Sequence, residues 1–226
     1  MARGRNKLSA SPNRLIISIA TASLVGVFLL VIRILHSDST RYLFLIWNLI
    51  LAVFVPLIAW WLTARIREHG WLKTPQILLT IAWLLFLPNS FYIVSDFIHL
   101  RPNYEASILF DAVMLISFSL SGLIFGYASV YMVHSELRKR INAKSAWAII
   151  SGIFVASSFA IYLGRFTRWN SWDIILQPAG LLFDVSDRVV NPAAHSQTYS
   201  TTAIFSILLL AFYWVVWESI QFIKSK

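Results

Sequence analysis

Six apolar stretches, each close to the length of a bilayer crossing, leave this chain few ways to fold. They cover residues 15–32, 43–62, 75–94, 108–133, 146–163 and 201–217. A hydrocarbon core about 30 Å thick needs about 20 helical residues per crossing. Within it, backbone N–H and C=O groups must be satisfied without water. The chain therefore reads as all-α: a polytopic transmembrane helical bundle of about six spans, forming a single integral membrane domain over residues 1–226. No internal repeat, low-complexity tract or second domain interrupts it.

Composition agrees with lipid as the solvent. Hydrophobic residues make up 58% of the chain and charged residues 13%, against roughly half and a quarter in soluble domains. The formal charge of +9 would suit nucleic acid if it lined a face, but the Lys and Arg residues fall in short segments between apolar runs, so no nucleic-acid partner is expected. The absence of cysteine excludes disulfides, thiolate metal sites and cysteine nucleophiles. The basic start MARGRNKLSASPNR resembles a secretory signal, but the run behind it has the length of a span and no small-residue cleavage pattern, so it reads as an uncleaved first helix.

Orientation follows from the cation bias. Thirteen Lys and Arg residues occupy the N-terminus (Arg3, Arg5, Lys7, Arg14), the second loop (Arg65, Arg67, Lys73), the fourth loop (Arg138, Lys139, Arg140, Lys144) and the C-terminus (Lys224, Lys226). Six lie on the other side: Arg33, Arg41, Arg101, Arg165, Arg168 and Arg188. This places the protein in the cell membrane, multi-pass, with both termini cytoplasmic. Residues 164–200 form the one substantial non-spanning segment. Within it Leu181, Leu182, Val185 and Val189 oppose Asp184, Asp187 and Arg188 on a helical wheel, which suits a short helix at the outer interface. Gly122 with Gly126, and Gly152 with Ala156, offer small-residue spacing for close packing inside the bundle.

Polar residues gather toward the outer ends of three spans. If the third span continues as an α-helix, Asn89, Tyr92, Asp96 and His99 share one face. Pro88 beside Asn89 should kink that helix. Asp111 begins the fourth span. Ser158, Tyr162 and Arg165 end the fifth, followed by Arg168, Asn170 and Asp173. Because the third span exits where the fourth enters and the fifth exits, these groups reach the same membrane face. Ionisable groups there are costly and turn toward a bundle interior or a wet cavity. Arg165 and Arg168 are candidate holders of a phosphate or carboxylate. Asp96, His99 and Asp111 are candidate acids or bases, and Asn89, Tyr92, Asn170 and Asp173 are candidate binding residues. The competing reading pairs Asp96 or Asp111 with Arg165 or Arg168 as a structural lock between helices, and treats Asn170 with Asp173 as a helix cap. There is no HExxH or second nearby histidine, so no metal site is expected. No cofactor can be identified.

Two strings, WLLFLPNSFYIVSDFIHL (83–100) and YLGRFTRWNSWDIILQP (162–178), resemble the signature regions of a bacterial and archaeal membrane-protein family catalogued as domain of unknown function 1361. The intervening YEASILFDAVMLISFSLSGLIFGYASVYMVH is similar to its middle region. The likeness covers roughly residues 42–217 and implies a polytopic membrane protein without implying an activity. The expected function is that of an envelope protein whose outward-facing polar site binds or processes an anionic lipid or envelope precursor, with membrane lipids as partners. The alternative is a transporter or accessory subunit in which the same charges form a permeation path or an interhelical lock.

Overall fold

The computed structural model describes residues 12–101 and 107–226, with side chains from Ile17 onward. The N-terminal cations counted for orientation, Arg3, Arg5, Lys7 and Arg14, lie outside the described side chains. The order is α1 (Pro12–Ser37), α2 (Phe44–His69), α3 (Thr74–Tyr92) prolonged by a 3-10 segment (Ile93–His99), α4 (Ile108–Arg138), α5 (Ala143–Tyr162) prolonged by a π-turn (Leu163–Thr167), α6 (Asp173–Leu176), α7 (Pro178–Val190), a 3-10 turn (Pro192–His195) and α8 (Ser196–Lys224). Six of these helices are long and apolar enough to cross a membrane. Large apolar side chains such as Phe28, Leu78, Leu120, Ile207 and Phe212 stand exposed on them, a surface that lipid would cover.

An even number of crossings brings Pro12 and Lys224 to one face, the terminal face. The opposite face, carrying the turn after α1, the end of α3 and the segment from α5 to α8, is the cap face. α2 packs against α3 and α4, α4 against α1, and α5 against α8. One core joins Trp83, Phe91, Tyr127, Phe154 and Tyr213, and a second, toward the cap face, joins Leu30, Tyr42, Leu45, Met114 and Phe118.

The helices exceed the expected apolar runs because polar side chains near their ends find partners. α4 continues past Val133 to Arg138. There His134 bonds Tyr213 at 2.9 Å, and the buried Glu136 carboxylate meets Arg67 and Lys139 at 2.7 Å and Arg140 at 2.9 Å.

Close approach and helix breaks fix the middle of the bundle. At Gly122 of α4 a β-carbon would lie 2.3 Å from the Ser90 carbonyl oxygen, so α3 and α4 can meet there only without a side chain. Gly152, by contrast, faces open space. Pro56 sits inside α2 and Pro88 inside α3. Each deprives the carbonyl four residues earlier of its helical donor; for Pro56 that carbonyl is Ala52, which accepts instead from Ser90 Oγ at 3.3 Å.

α7 forms at the cap face where the wheel placed a helix, but two of its charged residues turn inward beside Leu181 and the half-buried Val185. Asp184 accepts from Trp169 Nε1 at 2.7 Å, and Arg188 is buried with its guanidinium near the Tyr162 ring. Leu182, Phe183, Val189 and Val190 face outward. The charged groups turn in because the cap supplies partners that lipid could not.

Candidate functional site

The two strings singled out in the sequence dock onto one another along the seam between α3 and the end of α5. At the lower end, Ser171 Oγ donates to the Leu85 carbonyl at 2.7 Å, and Asn89 Nδ2 donates to Ser171 Oγ at 3.2 Å and to the Phe86 carbonyl at 3.1 Å. Ser171 of the cap segment is thereby fastened to α3 beside Pro88 by two side-chain hydrogen bonds. One turn higher, the Tyr92 ring rests against Gly164, where a β-carbon would come within 2.9 Å of it. The Arg165 guanidinium lies 4.2 Å from the centre of the same ring.

The helical stripe expected on α3 is partly re-registered. After Tyr92 the chain tightens to 3-10 geometry, in which residues three apart eclipse. Asp96 and His99 stay on one side, and Ser95 joins the cluster. Arg165 donates from Nη2 to Asp96 Oδ1, from Nε to Ser95 Oγ at 2.9 Å, and meets His99 Nε2 at 2.9 Å through Nη1. A guanidinium only donates, so Nε2 accepts and the His99 proton resides on Nδ1. Asn48 of α2 donates to the other Asp96 oxygen at 2.9 Å. Asp96 is fully buried, with both oxygens engaged.

Asp111 stands apart from this cluster. It pairs with Arg33 of α1 at 2.7 Å, both side chains buried, and the Tyr42 hydroxyl lies between Asp111 Oδ2 at 3.3 Å and the His99 carbonyl at 3.2 Å. Burial and the adjacent Asp111 carboxylate raise the Tyr42 hydroxyl above the ordinary tyrosine range, which keeps it a donor. The structure therefore holds two ion pairs, bridged by the end of the third span, where the sequence suggested a single convergence.

Arg168 is exposed and takes the left-handed backbone at φ 63°. It closes the π-turn, with Trp169 N–H returning to the Leu163 carbonyl at 3.2 Å. That reversal aims Trp169, Asn170 and Ser171 back toward the bundle. Asp173, the first residue of α6, accepts from the Asn170 backbone N–H at 2.7 Å, which closes the turn leading into that helix.

Under this cap lies a cavity of about 380 Å³ between α2, α3 and α5, within the size range of ligand pockets. Its polar wall is Asn48, Asn89, Tyr92, Ser157, Asn170 and Ser171, and the remainder is apolar or aromatic, including Trp47 and Trp169. Asp96, His99, Asp111 and Arg165 do not line it; Asn48 and Tyr92 stand between. Among the described residues, no group of three or more His, Asp or Glu could hold a metal ion. Sequence reasoning passed over Asn48, Ser95, Ser157, Arg33 and Tyr42. Asn48 carried a readable signal, a lone amide inside an apolar run, whereas Arg33 was counted as a loop charge.

A six-span all-helical bundle of this kind is a multi-pass membrane protein. Within that class the chain belongs to the family described as protein of unknown function DUF1361, which it matches over residues 47–212, a range holding both docked strings. No curated protein and no solved structure matches it.

Proposed function

We propose that this protein binds an amphipathic anionic lipid, or a lipid-linked envelope precursor, at the cap face of the cell membrane, with that face outward and both termini cytoplasmic. The observation that carries the reading is the cavity beneath Trp169–Ser171, the residues that follow Arg168 in the chain. Arg168 is exposed, and its guanidinium has no hydrogen-bond or ion-pair partner among the described residues. An anionic group at the interface would gain a charge-assisted donor there, while the adjoining part of the ligand enters the cavity. A non-glycine residue held at positive φ next in sequence to the cavity-lining Trp169 is itself a functional pointer.

On this reading Asp96, His99 and Arg165 are positioning residues: they hold Asn48 and Tyr92, which form the wall. Arg33 with Asp111, and Asp96 with Arg165, act as locks between helices. Binding, rather than acid–base chemistry, is what these distances support.

The test is thermal stabilisation of purified protein by phosphatidylglycerol vesicles. Arg168→Gln should weaken stabilisation, and Ala156→Phe, which fills the cavity, should abolish it. Equal stabilisation of the wild type and Ala156→Phe would defeat the reading.

A further inference from the structure

The hydrogen-bonding groups of the cavity wall are not a balanced set. Asn48 commits its Nδ2 to the Asp96 carboxylate at 2.9 Å, Asn89 to the Phe86 carbonyl at 3.1 Å, and Asn170 to the Asp173 carboxylate at 3.4 Å. Each of these partners can only accept, which fixes all three amide orientations. What remains for a ligand is Oδ1 of all three, none of which has a donor among the described residues, and the second Nδ2 hydrogen of Asn48 and of Asn170. Ser157 adds a hydroxyl. It is 3% exposed, lines the cavity and has no hydrogen-bond partner among the described residues, whereas the neighbouring Ser158 spends its hydroxyl on the Phe154 carbonyl at 2.8 Å.

A neutral wall that accepts more than it donates selects for groups that do both. Phosphate or carboxylate charge inside the cavity would face several carbonyl oxygens and no lining cation, and the few remaining N–H groups would not replace its hydration. An ammonium would find donors' partners but no free counter-charge: Asp96 is paired with Arg165, and Asp173 is bound to the Asn170 backbone. Neutral hydroxyls satisfy the amide oxygens with no charge to desolvate. The indoles of Trp47 and Trp169, with electron-rich faces, suit the C–H edges of a polyol.

We propose that this cavity takes an uncharged, hydroxyl-bearing head group, a glycerol or sugar unit carried on a lipid. The inference rests on the lipid-binding reading above and narrows it, leaving the anionic group to Arg168 outside the cavity.

Native mass spectrometry of the delipidated full-length protein tests it, using phosphatidylglycerol, phosphatidic acid and phosphatidylethanolamine with identical acyl chains. Phosphatidylglycerol and phosphatidic acid share the phosphate and differ in the polyol. Phosphatidylglycerol should be retained over phosphatidic acid by about 30-fold, the scale of two neutral hydrogen bonds. Ser157→Ala should cut that preference about 5-fold with an unchanged melting temperature, since its hydroxyl bonds none of the described residues. Arg168→Gln should lower both anionic lipids by the same factor and leave their ratio intact. Equal retention of the two, still lost in Arg168→Gln, would overturn the hydroxyl assignment while leaving lipid binding standing. Preference for phosphatidylethanolamine would assign an ammonium instead and also overturn it. Equal retention of all three lipids would overturn both readings. Displacement of phosphatidylglycerol by millimolar free glycerol would overturn the lipid source of the polyol.

Discussion

Ser90 Oγ reaches across from α3 to the carbonyl of Ala52 at 3.3 Å, the oxygen that Pro56 leaves without a helical donor. Two helices are thereby joined at the point where one of them is broken. Ser90→Ala should cost about 1 kcal/mol, since a buried carbonyl then lacks any donor. In a Pro56→Ala background the restored N–H supplies the missing bond, so the same change should be nearly neutral. Thermal unfolding of the four variants forms a cycle. Additivity would show that Ser90 does not service the proline break.

The Asp96–Arg165 pair is buried on the protein side of the cavity wall. Asp96→Asn and Arg165→Gln should each destabilise by about 3 kcal/mol, because each strands a buried charge. The double variant removes both charges and should lose clearly less than the sum. Two independent, fully additive losses in denaturation would exclude a lock.

Orientation is testable by reporter fusion. Fusions after residues 70, 140 and 226 should all report cytoplasm, given thirteen against six cations on alternate sides. An external signal from position 226 with a cytoplasmic one from 140 would remove the even span count.

A pH effect is expected at the end of α7. The Asp187 carboxylate accepts from Asn191 Nδ2 and from His195 Nε2, both at 2.7 Å, and these bonds, Asn191 first, hold it below the usual carboxylate range. A lowered value means the clasp is intact above the unfolded pKa of about 3.9 and is lost as pH falls through the folded one. Measured against the intrinsic rate, which itself slows toward pH 3, amide exchange across residues 187–195 should show an excess only as pH falls below about 4. Asp187→Asn should remove that excess.

The spans were legible because apolar length is a local property: all six stretches appear as helices, and only their ends were short. His134 and Glu136 marked the expected end of the fourth span, yet Tyr213 and Arg67, distant in sequence, carry them inside. The register beyond Tyr92 was missed because 3-10 tightening depends on what Arg165 and Asn48 bring to Asp96. The ion partners were harder still. Arg33 and Asp111 lie 78 positions apart, and nothing in either segment announces the other. The inward turn of Asp184 and Arg188 on α7 was likewise invisible, since a helical wheel gives two sides without saying which one the protein occupies.

The seam between the two docked strings also bears on how the chain is made. Leu85 and Ser171 are 86 positions apart, and translation proceeds from the N-terminus. The third span must therefore leave the insertion machinery long before the hydroxyl that fastens it to the cap has been synthesised. Until the fifth span follows, the Asn89 amide inside that span lacks its Ser171 partner. A truncated chain ending after α4 should accordingly be a poorer substrate for lateral release into lipid than its hydropathy alone implies, and a site at which quality-control proteases can tell an unfinished chain from a finished one.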